Sequence, residues 1–215
     1  MLYLIPTYDC NFRCSYCFVP KDAWYKINLT TLEDIVSFLN TFINSNKIQI
    51  WILWWEPFLY KDLLLQTIQY LHDNVKHSNF SFYITTNWVL VDEKILQWMQ
   101  TTGAKIEVAF SLDWNFETMN TNRIHAENSF ISKKIFQNFL LAKKYLWRSW
   151  VSITMTISLE TVRFFDSNLL YLFELNPYLL RFRLAAWQKW DTESMNLYLN
   201  SFKKLYIHYV YTLYV

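Results

Sequence analysis

Six short apolar runs alternate with amphipathic stretches along this chain, and that alternation limits the fold more than any other feature. The runs are Leu2 to Thr7, Lys47 to Leu53, Ser81 to Thr86, Lys105 to Leu112, Val151 to Ile157 and Leu179 to Ala185. Runs of this length and composition suit buried strands. Between them apolar residues recur at helical spacing, as in Leu32, Ile35, Val36, Leu39 and Ile43, then Leu64, Ile68, Leu71 and Val75. Ile95, Leu96 and Met99 mark a third helix, and Ile131, Ile135, Phe139, Ala142 and Leu146 a fourth. A fifth covers Phe164 to Leu175 and stops before Asn176-Pro177. The last has Met195, Leu199, Phe202 and Tyr206 inward. Thr30 to Glu33 reads as a capping box, while Asp62, Asp92 and Thr192 read as caps. Gly103 closes the third helix. No hairpin interrupts the series, which implies an α/β fold with a parallel sheet covered by helices. A doubly wound sheet and an open barrel both satisfy the pattern.

The chain of 215 residues is long enough for one domain, 1–215, with a sizeable core. A net charge of +2 gives no electrostatic case for nucleic acid as a partner. No apolar run reaches the ~18 residues of a membrane span, so no membrane partner is expected. Met1-Leu2-Tyr3 leads directly into a strand without a visible signal peptide. Clustered cysteines without a secretion signal predict a reducing, cytoplasmic location.

All three cysteines, Cys10, Cys14 and Cys17, fall within eight residues, spaced C-x3-C-x2-C, just after the first strand. Active sites of parallel barrels lie at such C-terminal strand ends. An odd count at such close spacing argues against a disulfide framework. A structural zinc site wants four protein ligands, and His72, His77, His125 and His208 are far away in sequence. Three thiolates on one loop suit an iron–sulfur cluster. A four-iron cluster needs four ligands, so one iron would be left open to a small molecule.

Cys10-Asn11-Phe12-Arg13-Cys14-Ser15-Tyr16-Cys17, with an aromatic residue before the third cysteine, resembles the signature loop of the radical S-adenosylmethionine (radical SAM) superfamily. It is closest to the branch of sulfatase-maturing and peptide-modifying, SPASM-type enzymes. Three later strand ends extend the resemblance. Trp54-Trp55-Glu56-Pro57 stands where the family has Gly-Gly-Glu-Pro, Thr86-Asn87-Trp88 where it has Thr-Asn-Gly, and Ser111-Leu112-Asp113-Trp114 where it has Ser-Leu-Asp-Gly. Arg123 stands at the distance of the family's downstream arginine. The match covers residues 1 to about 160 well, and the remainder only through strand–helix alternation.

The resemblance implies a partial, TIM-like (β/α)6 barrel. It implies a [4Fe-4S] cluster on Cys10, Cys14 and Cys17, with S-adenosylmethionine (AdoMet) chelated to the fourth iron by its amino and carboxylate groups. One electron from the reduced cluster, itself reduced by a flavodoxin- or ferredoxin-like donor, would cleave AdoMet to a 5′-deoxyadenosyl radical. That radical would take a hydrogen atom from a peptide or protein substrate. Tyr16 would lie near the adenine, and the Trp54-Trp55 segment along the AdoMet amino group, which Glu56 would accept from. Ser111 and Asp113 would bind the ribose or carboxylate, Arg123 the carboxylate, and Asn87 would touch AdoMet or cap its strand. Related enzymes often carry a cysteine-rich C-terminal extension; with no further cysteine, that extension is expected to be absent or truncated. A non-catalytic iron–sulfur protein and a zinc-binding interaction module are the rival readings. Glu56, Ser111, Asp113 and Arg123 favour the enzyme, because electron transfer needs none of them.

One departure is systematic. The chain has one glycine and eleven tryptophans, where average usage would give roughly 15 glycines. The four motif glycines are all written as tryptophan, at 54, 55, 88 and 114. The expectation is a single cause: UGA codons, which some bacterial lineages read as glycine, translated as tryptophan. UGG codons at those positions would refute it.

Overall fold

The computed structural model describes residues 2–19, 26–45, 47–53, 55–77, 79–113, 116–125, 131–146 and 150–214. Trp54 and Trp114 therefore lie outside the described residues.

The six expected strands form one sheet: β1 (Leu2–Leu4), β2 (Ile48–Ile52), β3 (Phe80–Thr86), β4 (Lys105–Ser111), β5 (Val151–Ile157) and β6 (Leu179–Leu184). Every neighbouring pair is parallel, and the spatial order is the chain order, β1-β2-β3-β4-β5-β6. A doubly wound sheet reverses its strand order at a switch point. This one never does, so crossovers of one hand lay all helices on one face and the open barrel is the fold. The curl is visible across the sheet. Arg181 on β6 donates to the Tyr83 hydroxyl on β3 at 2.6 Å, three strands away. The edge strands β1 and β6 are not paired, so the barrel is open.

Strand side chains alternate between two faces. On one, Ile50, Ile52, Phe82, Ile84, Ile106, Val108, Phe110, Ile153 and Met155 are buried. Against them lie α1 (Leu29–Phe42), α2 (Lys61–Asn74), α3 (Glu93–Thr101), α5 (Ser132–Tyr145) and α6 (Phe165–Glu174). Their inward residues include Leu39, Leu64, Ile68, Leu71, Leu96, Phe139 and Leu172. Each such side chain contributes about 1.5–3 kcal/mol by leaving water. The other face lines the barrel and carries the polar side chains Glu107, Ser111, Ser152, Thr154, Thr156 and Arg181 beside the packed rings of Tyr3, Trp51 and Tyr83.

Several local expectations are corrected. The α1 cap is Asn28, whose side chain accepts from Thr31 N–H at 2.9 Å, so the helix begins before Thr30. Asp62 does not cap α2; a 3-10 turn over Pro57–Tyr60 runs into it, and Asp62 lies in its first turn. The cap of α7 (Thr192–Tyr214) is Asp191, which accepts from Ser194 N–H at 2.8 Å. Leu199, Phe202 and Tyr206 are exposed, and among the described side chains of α7 the buried positions are Ser201 and Leu205. The rings of Tyr198 and Phe202 pack around Phe165 at 5.2 and 5.8 Å, so the face of α7 that meets α6 runs through Tyr198, Ser201, Phe202 and Leu205. A short helix, α4 (Phe116–Asn122), was not expected. Asp92 caps α3 as expected, accepting from Ile95 N–H at 2.9 Å, and Gly103 ends it at φ +77°.

Candidate active site

The site is assembled at the C-terminal ends of β1 to β5. After β1, Pro6 has no N–H to extend a ladder, and the chain turns into the cysteine loop. Asp9 shapes its entry: one carboxylate oxygen accepts from Cys10 N–H at 2.8 Å and the other from the Tyr60 hydroxyl at 3.0 Å. Cys10, Cys14 and Cys17 are unbridged and partly buried. The N–H of Cys17 donates to the Cys14 carbonyl at 3.0 Å, closing a tight turn over Ser15 and Tyr16. Phe12 N–H lies 3.4 Å and Asn87 Nδ2 4.0 Å from Cys10 Sγ. Arg13 turns back onto its own loop and donates to the Cys10 and Phe12 carbonyls at 2.7 and 3.0 Å.

The end of β2 supplies Glu56, which is fully buried. Its carboxylate accepts from Thr86 Oγ1 at 2.7 Å, Asn87 N–H at 2.7 Å and Phe58 N–H at 3.1 Å. Burial pushes its pKa up to about 7, against the pull of those three donors. The end of β3 supplies Asn87, whose amide donates to Asn11 Oδ1 at 2.7 Å. Glu56 and Asn87 thus tie the ends of β2 and β3 to each other and to the cysteine loop.

Asp113 follows β4 and is fully buried. Arg123 grips it with two bonds, Nε to Oδ2 at 2.8 Å and Nη2 to Oδ1 at 2.9 Å. The Tyr16 hydroxyl donates to Oδ2 at 2.6 Å and Thr156 N–H to Oδ1 at 2.8 Å. Burial works against the Arg123 charge, but Asp113, with Tyr16 and Cys14 adding to it, outweighs burial and holds the guanidinium protonated. Burial, with Asp113 adding to it, pushes the Tyr16 hydroxyl pKa well above its ordinary value. Both charges of this pair are engaged with each other, an arrangement whose rupture costs about 3–5 kcal/mol. Ser111, at the end of β4, makes no side-chain hydrogen bond among the described residues and is half-buried.

Of the expected site residues, Cys10, Cys14, Cys17, Tyr16, Glu56, Asn87, Asp113 and Arg123 share one connected set of contacts. Trp55 is half-buried, edge-on to Tyr8 at 4.2 Å, with its indole N–H buried and unbonded. Trp88 is fully buried, stacked flat on Phe110 at 3.6 Å, and its indole N–H also lacks an acceptor. Its backbone stands at φ +65°, the left-handed region that a bulky side chain avoids. His125 serves the loop: it pairs as an antiparallel bridge with Phe12, their rings edge-on at 5.2 Å.

Sequence reasoning missed Asn122. It precedes Arg123 in a segment without apolar periodicity, and nothing but its place beside that arginine could have marked it. It is fully buried and hydrogen-bonds to Ser15, Ser158 and Thr161. A shallow depression lined by Lys143, Val151, Asn176, Pro177 and Tyr178 lies at the opposite end of β5 and carries none of these residues.

Among the described residues, no three His, Cys, Asp or Glu side chains are placed to chelate a single metal ion. The donor set of the loop is sulfur alone, which fits an iron–sulfur cluster. No helix among the described residues is long and apolar enough to cross a membrane.

The sequence matches the family model described as the Radical SAM superfamily over residues 4–163. An uncharacterized protein of Methanocaldococcus jannaschii is 28% identical over 108 residues, which is 50% of this chain and 37% of that protein. Among solved structures, anSMEcpe with bound AdoMet superposes with a TM-score of 0.81 at 19% identity, over 98% of this chain and 60% of anSMEcpe. Streptococcus suis SuiB bound to precursor peptide SuiA gives a TM-score of 0.65 at 17% identity, over 96% of this chain and 46% of SuiB. At such identities the likeness is one of fold. This chain spans less than two thirds of the length of each of these proteins.

Proposed function

We propose that this chain, which belongs to the radical SAM superfamily, is a peptide- or protein-modifying enzyme of the SPASM-type branch, with residues 1–215 as its catalytic core. The family uses AdoMet and a [4Fe-4S] cluster, and membership supports an enzyme. One observation carries the finer reading. The three cysteines and the residues after β2, β3 and β4 that the sequence singles out converge on one sheet end, around one loop.

Cys10, Cys14 and Cys17 would hold the cluster. With AdoMet bound, that pair would supply one-electron reductive cleavage of AdoMet, with an external flavodoxin- or ferredoxin-like protein as electron donor, for removal of a hydrogen atom from substrate. The protein's own residues bind, orient and shield. Glu56 offers a buried acceptor for a ligand ammonium group. Ser111 offers an uncommitted hydroxyl beside the barrel mouth. Asp113 and Arg123 brace Tyr16, and hence the turn that carries Cys14 and Cys17. Asn87 presents its amide to Cys10 and Asn11. The peptide substrate is supported by SuiB, bound to precursor peptide SuiA, and by anSMEcpe, bound to AdoMet and the Kp18Cys peptide. A cytoplasmic setting fits clustered thiols.

The test is anaerobic reconstitution with iron and sulfide, followed by a reductant and AdoMet. The expected result is visible cluster absorption and release of 5′-deoxyadenosine, both lost in Cys14→Ala. A reconstituted protein that holds the cluster but neither binds nor cleaves AdoMet would favour the non-catalytic reading.

A further inference from the structure

The cysteine loop does not stand alone at the barrel mouth. Residues 12–15 run antiparallel to residues 122–125. Phe12 bridges His125, Arg13 N–H donates to the Ile124 carbonyl at 2.7 Å, and Ser15 N–H donates to the Asn122 carbonyl at 2.9 Å. This is a strap of backbone bonds along the stretch that leads through Cys14 toward Cys17.

The strap is itself anchored. Asn122 is fully buried, and every polar atom of its side chain is used. Its Oδ1 accepts from the Ser15 hydroxyl at 2.9 Å; its Nδ2 donates to Ser158 Oγ at 3.0 Å and Thr161 Oγ1 at 3.3 Å. Ser158 and Thr161 are also buried and lie just beyond β5. The next residue, Arg123, is locked to Asp113 beyond β4. The loop after β1 is thus fixed to the ends of β4 and β5, on the far side of the sheet order. A buried, fully satisfied polar network is rigid, whereas a partly satisfied one is costly.

We propose that the strap sets the spacing of the three thiolates, and that Asn122 is its positioning residue. This rests on the cluster assignment made above. Three thiolates on one loop repel each other, and a cluster tolerates little variation in where they stand. A loop tied only at its ends would splay. One tied at Ser15, between the second and third ligands, cannot. Asn122 touches no sulfur; it acts through Ser15.

The experiment uses the whole chain, reconstituted anaerobically, as Asn122→Ala, Ser15→Ala and Ser15→Thr. Far-UV circular dichroism and thermal melting report the fold. Iron retained against a chelator, and the electron paramagnetic resonance spectrum of the reduced protein with and without AdoMet, report the cluster. Both alanine variants are expected to fold and take up iron, then to retain it about tenfold less well, the low end of what losing an outer partner of a metal ligand costs. Their spectra should shift, and Ser15→Thr should restore both readouts. Wild-type retention and an unchanged spectrum in both alanine variants would overturn the proposal and leave the cluster assignment intact. If Asn122→Ala fails to fold, Ser15→Ala decides alone. If the wild-type protein takes up no cluster, both readings fall.

Discussion

At position 88 the structure holds an indole where its backbone asks for none. The residue has φ +65°, its N–H is buried without an acceptor, and its ring is pressed flat on Phe110. Strained backbone costs about 1–3 kcal/mol and an unsatisfied buried N–H about 1–3 kcal/mol. Deleting a buried Trp usually costs about 3–5 kcal/mol. The terms nearly cancel, so Trp88→Gly should leave unfolding by urea almost unchanged, while Phe110→Ala loses several kcal/mol. Trp88→Gly should also be more stable than Trp88→Ala by about 1 kcal/mol, inverting the ordinary order, because only glycine is at ease in the left-handed region. Alanine proving the more stable would contradict this. Glycine at 54, 55, 88 and 114 together should strengthen AdoMet binding, measured by calorimetry. No gain would count against reading those tryptophans as glycines.

Glu56 makes a pH prediction at the same scale. Its pKa is raised to about 7 in the fold from an ordinary value near 4.3. Between those values the folded state holds a proton that the unfolded chain has lost. Stability from this group is therefore whole below the unfolded pKa and falls as pH rises toward 7, by about 4 kcal/mol in all. Glu56→Gln should flatten that slope in urea midpoints taken from pH 4.5 to 8. If the slope persists, the carboxyl is not the titrating group.

Among the elements, those whose signal is carried by burial were legible and those set by local side-chain competition were not. Val151 to Ile157 was placed to the residue, because Val151, Ile153, Met155 and Ile157 alternate with Ser152, Thr154 and Thr156 at the two-residue period of a strand. The start of α1 was missed by two residues: Asn28 and Thr30 can each cap, and it is Asn28 that accepts from both the N–H and the hydroxyl of Thr31. Asn28→Ala should thus lower stability by about 1 kcal/mol, with Thr30→Ala close to neutral, read from melting temperatures. The opposite order would restore the capping box. The stripe of α7 was misjudged for a related reason. Periodicity gives the width of an apolar face, but Phe165 decides where its centre points. Asn122 lay in neither kind of signal, because its partners Ser15, Ser158 and Thr161 come from distant parts of the chain.

For the molecule as a whole, sequential strand order was the finding that alternation alone left open between two folds. It curls the sheet so that the ends of β1 to β5 meet, and the loop with the three cysteines becomes their common centre. Glu56 and Asn87 hold that loop from one side, Asp113 and Asn122 from the other. The contacts were illegible from sequence because each spans at least 31 residues, while the residues making most of them were legible from their types and positions after each strand. The central claim is that this loop carries a four-iron cluster with one iron open to AdoMet. The most direct measurement is the electron paramagnetic resonance spectrum of the reduced, anaerobically reconstituted protein before and after AdoMet is added. A cluster signal that changes on adding AdoMet is predicted. A colourless protein without a signal, both as written and with glycine at 54, 55, 88 and 114, would contradict the account.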